Sequence, residues 1–178
     1  MVAGSIEPRQ LCKSIIRTMG FIDKVKHPLK FSLFLLWKLP SAWLAGVRVQ
    51  NIQPHTCTTV VPYRWLSQNP FRSTYFACLA MAAEMSSGLL AMLHVAEAPQ
   101  RVSMLVTGME AGFMKKAKTK TWFTCRDGAA IQAAIAHTLD TGEPVTLTVQ
   151  STGESKDGTL IATFAITWSF KRAAKSEA

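Results

Sequence analysis

Between Ser73 and Ala96 the chain carries one formally charged side chain, Glu84, in the middle of a run of alanine, leucine, methionine and other apolar or small residues. The run predicts one long helix, Tyr75 to Val95, with Ser73 or Thr74 as its N-cap. It is long enough to cross a bilayer, which takes about 20 residues. An acid at the centre of a span costs about 2.5–3.5 kcal/mol on insertion, however, and alanines offset little of that. The expectation is therefore a buried helix of a soluble protein, apolar on nearly every face, which a sheet must wrap.

The flanking patterns supply that sheet. Val47, Val49 and Ile52, then Cys57, Thr59 and Val61, alternate as a hairpin turning near Gln53–His55. Tyr63–Ser73 is a polar, aromatic loop containing Asn69-Pro70. After the helix, Val102–Thr107 predicts a strand, with Gly108 and Gly112 marking a break or bulge. Lys116, Lys118, Lys120 and Trp122 share one face of a further strand. Asp127–Leu139 predicts a short helix. Val145–Val149 and Leu160–Phe170 alternate with period two, joined by a turn at Lys156-Asp157-Gly158. Ahead of the hairpin, residues 8–27 form an amphipathic helix with a basic stripe of Arg9, Lys13 and Arg17. Pro28 then opens a second helix, Leu29–Leu39, closed by Pro40.

At 178 residues and 48% hydrophobic content, one domain with an extension is expected, and disorder is excluded. We divide the chain into a basic helical extension at 1–41, a domain at 42–172 and a disordered tail at 173–178. Ten basic residues against two acids up to residue 72 concentrate the charge of +9 in the N-terminal part. Such a field suits phosphates, anionic lipid headgroups or an acidic protein. Peripheral membrane contact through the N-terminal helices is one expectation. Cys12, Cys57, Cys78 and Cys125 form no C-x-x-C pair, which fits a reduced cytoplasm. The four histidines lack metal-ligand spacing, so no metal is expected. No phosphate loop, Ser-His-Asp signature or nucleic-acid module is present, and no nucleic-acid partner is expected.

A carboxylate in a buried helix costs several kcal/mol unless it is paired, hydrogen-bonded or protonated. Ala77, Ala80, Met81, Gly88 and Ala91 lie on the stripe of Glu84, and mostly small residues there leave room beside it. A long central helix with an internal acid, preceded by a loop Asn fifteen residues earlier (Asn69), resembles the hotdog fold and, within it, the PaaI-like branch of acyl-CoA thioesterases. The run Asn69-Pro70-Phe71, with Tyr75-Phe76-Ala77 and Ala82-Ala83-Glu84, resembles a less characterised group of that branch. The resemblance covers roughly residues 42–170. It departs at the helix start, where Thr74-Tyr75-Phe76 stands in place of the common His-Gly-Gly.

The resemblance implies an α+β hotdog fold, an antiparallel sheet of about five or six strands around the helix, assembled as a homodimer or homotetramer. It implies hydrolysis of an acyl-CoA or acyl-carrier thioester, with no cofactor beyond the coenzyme A of the substrate. Glu84 would activate water, Asn69 would orient the water or the carbonyl, and the amide of Phe76 or Tyr75 would stabilise the oxyanion. Ser103 or Thr107 of a partner subunit would help hold the water. Lys116, Lys118 and Lys120, or Arg64 and Arg72, would meet the coenzyme phosphates. Trp65, Phe71, Tyr75, Met81 and Met85 would line the acyl chain. The alternative is a non-catalytic module that binds acyl-CoA or lipid.

Overall fold

A computed structural model describes residues 19–173 of the chain. The first half of the helix expected at 8–27 and the tail at 174–178 lie outside the described residues. What is described starts with a helical stretch at 19–26 (α1), followed by α2 (Pro28–Lys38) and α3 (Pro40–Ala45). Pro40 does stop α2, but it also opens α3, because a proline at the first helical position fits the required φ and lacks only an N–H that would be unpaired anyway. Gly46, at φ +81°, ends α3 in the left-handed conformation.

Strands β1 (Arg48–Gln53) and β2 (Thr56–Val61) form the expected hairpin. Then come the long helix α4 (Phe76–Glu97), β3 (Val102–Phe113), β4 (Thr121–Cys125), α5 (Gly128–Thr141), β5 (Val145–Glu154) and β6 (Leu160–Arg172). The six strands make one antiparallel sheet in the order β1-β2-β4-β5-β6-β3, curled around α4.

Three local outcomes differ from the sequence pattern. First, β3 does not end at Gly108. A bulge between Val106 and Gly108 shifts the register, and the strand runs on to Phe113. Met104 and Val106 lie opposite buried Phe170 and Trp168; beyond the bulge Met109, Ala111 and Phe113 return to the same face, opposite Ile166, Phe164 and Ala162.

Second, Lys116, Lys118 and Lys120 do not sit on a strand. Thr74 donates to the Ala117 carbonyl through both its amide (2.7 Å) and its hydroxyl (3.1 Å), which ties this segment to the loop before α4 instead of to the sheet. Third, that same bond removes Thr74 as an N-cap, and the Ser73 hydroxyl donates to Asn69 Oδ1 at 3.2 Å. Tyr75 holds the cap position without a side-chain bond.

The core lies between α4 and the sheet, with Phe123, Phe164, Phe170, Ile166 and Leu90 fully buried. Each such side chain stabilises the fold by about 1.5–3 kcal/mol. Val25, Phe31, Leu35, Ala42 and Ala45 of the N-terminal helices belong to the same cluster. Buried polar groups on the second half of α4 are paired. Ser86 Oγ meets Ser151 Oγ at 2.8 Å, Trp168 Nε1 donates to Ser87 Oγ at 3.1 Å, and His94 Nε2 lies 2.9 Å from the Pro54 carbonyl. At Gly128, a Cβ would come within 2.2 Å of that same carbonyl, so α5 can start here only on glycine.

Candidate active site

One strip of α4 is left incompletely covered. Phe76 is exposed and Ala77, Ala80, Met81 and Glu84 are half-buried, the three- and four-residue spacing of a single helix face. Beside this strip runs β3, an edge strand whose helix-facing Met109 and Phe113 are 45% and 51% exposed.

Glu84 lies along its own helix toward Gly88, so that a Cβ on Gly88 would stand 2.9 Å from Oε1 and 3.4 Å from the Trp168 ring. The room predicted beside the carboxylate is thus occupied by the carboxylate itself. Its cleft, about 260 Å³, is lined by Met81 and Met85 of α4 and by Lys38–Ala42 at the junction of α2 and α3. Among the described residues, no hydrogen bond or ion pair holds this carboxylate. Burial raises its pKa above the ordinary carboxylate value. The result is a desolvated acid that shares its cleft with Lys38 but, among the described residues, forms no ion pair, and burial of this kind makes a carboxyl a stronger base.

Asn69 and the start of α4 lie in a different cleft, about 540 Å³, together with Phe71, Tyr75, Phe113, Lys115 and Lys116. Asn69 Oδ1 accepts from the Phe71 amide (3.0 Å), the Ser73 amide (3.2 Å) and the Ser73 hydroxyl. Its carbonyl holds the loop, which leaves the NH₂ group to act on a ligand. The free end of the Asn69 side chain is therefore a donor rather than an acceptor.

The amides at the helix start are equally distinct. Tyr75 N–H donates to the Ser67 carbonyl at 2.8 Å. Phe76 N–H, at the first helical position, has no acceptor among the described residues, and the helix dipole favours negative charge there. Of the two amides expected at the oxyanion, only that of Phe76 remains to serve. Eight residues separate Phe76 from Glu84, about 12 Å along the axis at 1.5 Å per residue. A single chain does not bring the acid and the amide together.

A third cleft, about 770 Å³, gathers Lys115, Lys116, Lys118 and Lys120 with Lys156 of the β5–β6 turn, beside Trp122 and Ile161. Lys120 Nζ sits 5.8 Å from the centre of the Trp122 ring. The one acid there, Asp157, accepts from the Ser155 hydroxyl and the Thr159 amide, and these bonds hold its carboxyl below the usual range. Lys115 and Lys116 line this groove and the Asn69 cleft alike, so the two adjoin. Sequence reasoning grouped Trp122 with these lysines but missed Lys115 and Lys156; Lys156 was visible only as a turn residue, and no local pattern joins it to a segment some forty positions earlier.

Other expected residues stand apart. Ser103 is exposed on the face of β3 turned away from α4, its hydroxyl donating to the Lys171 carbonyl at 3.1 Å, and Thr107 donates likewise to Thr167. Arg64 donates through Nη2 to the Leu44 carbonyl at 2.6 Å, closing the C-terminus of α3. Arg72 is exposed with φ +56°. Phe71 and Trp65 are 73% and 80% exposed. Cys57 and Cys125 face each other across β2 and β4, and burial pushes their thiols up to about 12 and about 11, so neither offers thiolate at neutral pH. Among the described residues no group of three His, Cys, Asp or Glu could hold a metal ion.

Solved structures share this architecture. PA5026 of Pseudomonas aeruginosa, described as a protein of unknown function and "Probable Thioesterase", is similar with a TM-score of 0.69 at 19% identity, over 82% of this chain and 97% of that one. The thioesterase HI1161 of Haemophilus influenzae gives 0.59 at 10% identity, over 82% and 92%. A mutant of the thioesterase PA1618 of P. aeruginosa gives 0.60 at 12%, over 83% and 96%. No curated protein matches the chain. With its curled six-stranded sheet around α4, the fold is the hotdog fold. Residues 29–170, from the first turn of α2 to near the end of β6, match the family described as Domain of unknown function (DUF4442), and the chain belongs to that family.

Proposed function

We propose that the protein is a thioesterase that hydrolyses acyl-CoA as a homodimer, with Glu84 as general base. The observation that carries this reading is the desolvated, unpaired Glu84 carboxylate on the uncovered strip of α4. The free Phe76 amide at the head of the same helix lies too far away to share a substrate with it. Two α4 helices set antiparallel about a twofold axis near Ala80 bring Glu84 of one subunit opposite Phe76 of the other. The small side chains of Ala77 and Ala80 permit that approach. The unpaired edge of β3, twelve residues long with Met109 and Phe113 on its helix side, favours the same pairing.

In this arrangement Glu84 takes a proton from water as the water oxygen bonds to the thioester carbon. The Phe76 amide and the Asn69 NH₂ receive the charge developing on the carbonyl oxygen. The C–S bond then breaks, the proton on Glu84 passes to the departing sulfur, and a carboxylic acid and coenzyme A are released. The lysine groove adjoining the Asn69 cleft would hold the coenzyme phosphates, and Trp122 offers a ring for the adenine.

Incubating the protein with short, aryl and long-chain acyl-CoAs while detecting free thiol tests the reading. Release that disappears in Glu84→Gln supports it, and release unchanged by that substitution rejects it. The bulk of Tyr75 and Phe76 at the helix start, where glycine would admit closer approach, favours a second reading: a module that binds acyl-CoA without cleaving it. Tight binding with no thiol release over hours would select that one.

A further inference from the structure

Helix α2 is apolar on two faces, and among the described residues only one of them is packed. Phe31 and Leu35, one turn apart, are 8% and 1% exposed, whereas Leu29, Leu33, Leu36 and Trp37 stand 72%, 66%, 44% and 81% exposed. At 100° per residue these four fall within an arc of about 100°, the width of a stripe that normally faces a core. Lys30 borders the arc, and Lys26 is exposed just ahead of the helix, whereas Lys38 lies on the far side and lines the Glu84 cleft. From Lys24 to Ala83 the chain contains no acidic residue.

Whatever covers this face must be apolar at its centre and anionic at its rim. A second copy of the chain fits poorly, since the same lysines would meet without an acid between them. The bilayer interface fits both demands: leucines enter the acyl boundary, tryptophan rests at headgroup depth, and lysine stems lie along the apolar surface with their charges among phosphates. We infer that α2 docks the protein on an anionic lipid surface through Leu29, Leu33, Leu36 and Trp37, with Lys26 and Lys30 against the headgroups. The last turn of α2 also walls the Glu84 cleft, so the docked face and the candidate site are joined through one stretch of helix.

The test is flotation of the full chain with vesicles of phosphatidylcholine alone and of phosphatidylcholine with about one third phosphatidylglycerol. We expect binding to the anionic vesicles at least tenfold stronger than to the neutral ones, and weakened severalfold in about 0.5 M salt. The double variant L33S/W37S should bind at least tenfold more weakly at an unchanged melting temperature, because both side chains are already exposed; K26E/K30E should lose binding as well. Absence of flotation, equal binding to both vesicles, or wild-type binding by L33S/W37S would overturn the inference. So would a dimer that dissociates on the L33S/W37S change, since the face would then be an interface between copies. None of these readouts depends on thioester turnover, so the lipid inference and the proposed activity fail separately.

Discussion

The two halves of α4 are made of similar residues but treat their polar groups in opposite ways. From Ser86 to His94 every buried side-chain polar group has a protein partner: Ser86 with Ser151, Ser87 with Trp168, His94 with Pro54 and Glu97. From Phe76 to Glu84 the helix keeps an amide and a carboxylate with no partner among the described residues. A buried polar group left unpaired costs about 1–3 kcal/mol, and more when charged. The paired half is thus the part that fixes the helix to the sheet. The unpaired half holds the groups assigned to the proposed chemistry, and the stability forgone there is consistent with a site that a ligand and a second subunit complete.

The sharpest way to break this contrast is Glu84→Gln. Thiol release should fall by about 10²–10⁴, the usual contribution of a general base. The same change should raise stability at pH 8, with the gain fading toward pH 4. A carboxyl whose pKa is raised on folding binds protons more readily when folded, so the wild type loses stability as pH climbs from the ordinary value through the raised one. Chemical denaturation at several pH values checks the sign; wild-type turnover should rise with pH across that same window.

Next in size is Phe76→Pro. Proline is favoured at the first helical position, and Tyr75, at φ −63° and ψ 134°, already has the extended conformation that a following proline demands. The variant should fold with α4 intact yet lose about 10²–10³ in turnover with the missing N–H. Gly88→Ala should matter less. The new methyl group displaces the flexible carboxylate, lowering turnover about tenfold, while better helix propensity leaves stability equal or up to about 1 kcal/mol higher. On the paired half the pattern inverts: Ser87→Ala strands the Trp168 N–H and should cost about 1–3 kcal/mol in a denaturant melt, with turnover of the folded protein changed less than twofold.

Much of this architecture could be read from the amino acids, because its signals are local. A lone acid in an apolar run marks α4 and singles out Glu84, and period-two alternation marks the hairpin and β6. What stayed hidden depends on bonds between distant segments. Thr74 looks like an N-cap, yet Ala117 claims its hydroxyl. Lysines at every second position look like a strand, yet that same bond pulls them into a connecting loop. Asn69 and the two helix-start amides could be named as candidates; which of their atoms are already engaged is a matter of three-dimensional partners such as Ser67 and Ser73.

The turn between α2 and α3 closes over Glu84, although it lies outside the curled sheet and its central helix. A segment some forty positions upstream therefore shares in the burial that raises the pKa of that carboxyl. A chain trimmed to begin at β1 would keep every residue proposed to touch substrate, yet water would reach the acid and return it toward an ordinary, weakly basic carboxylate. Inheritance of the hydrolytic chemistry would then require the leading helices to travel with the sheet as one unit.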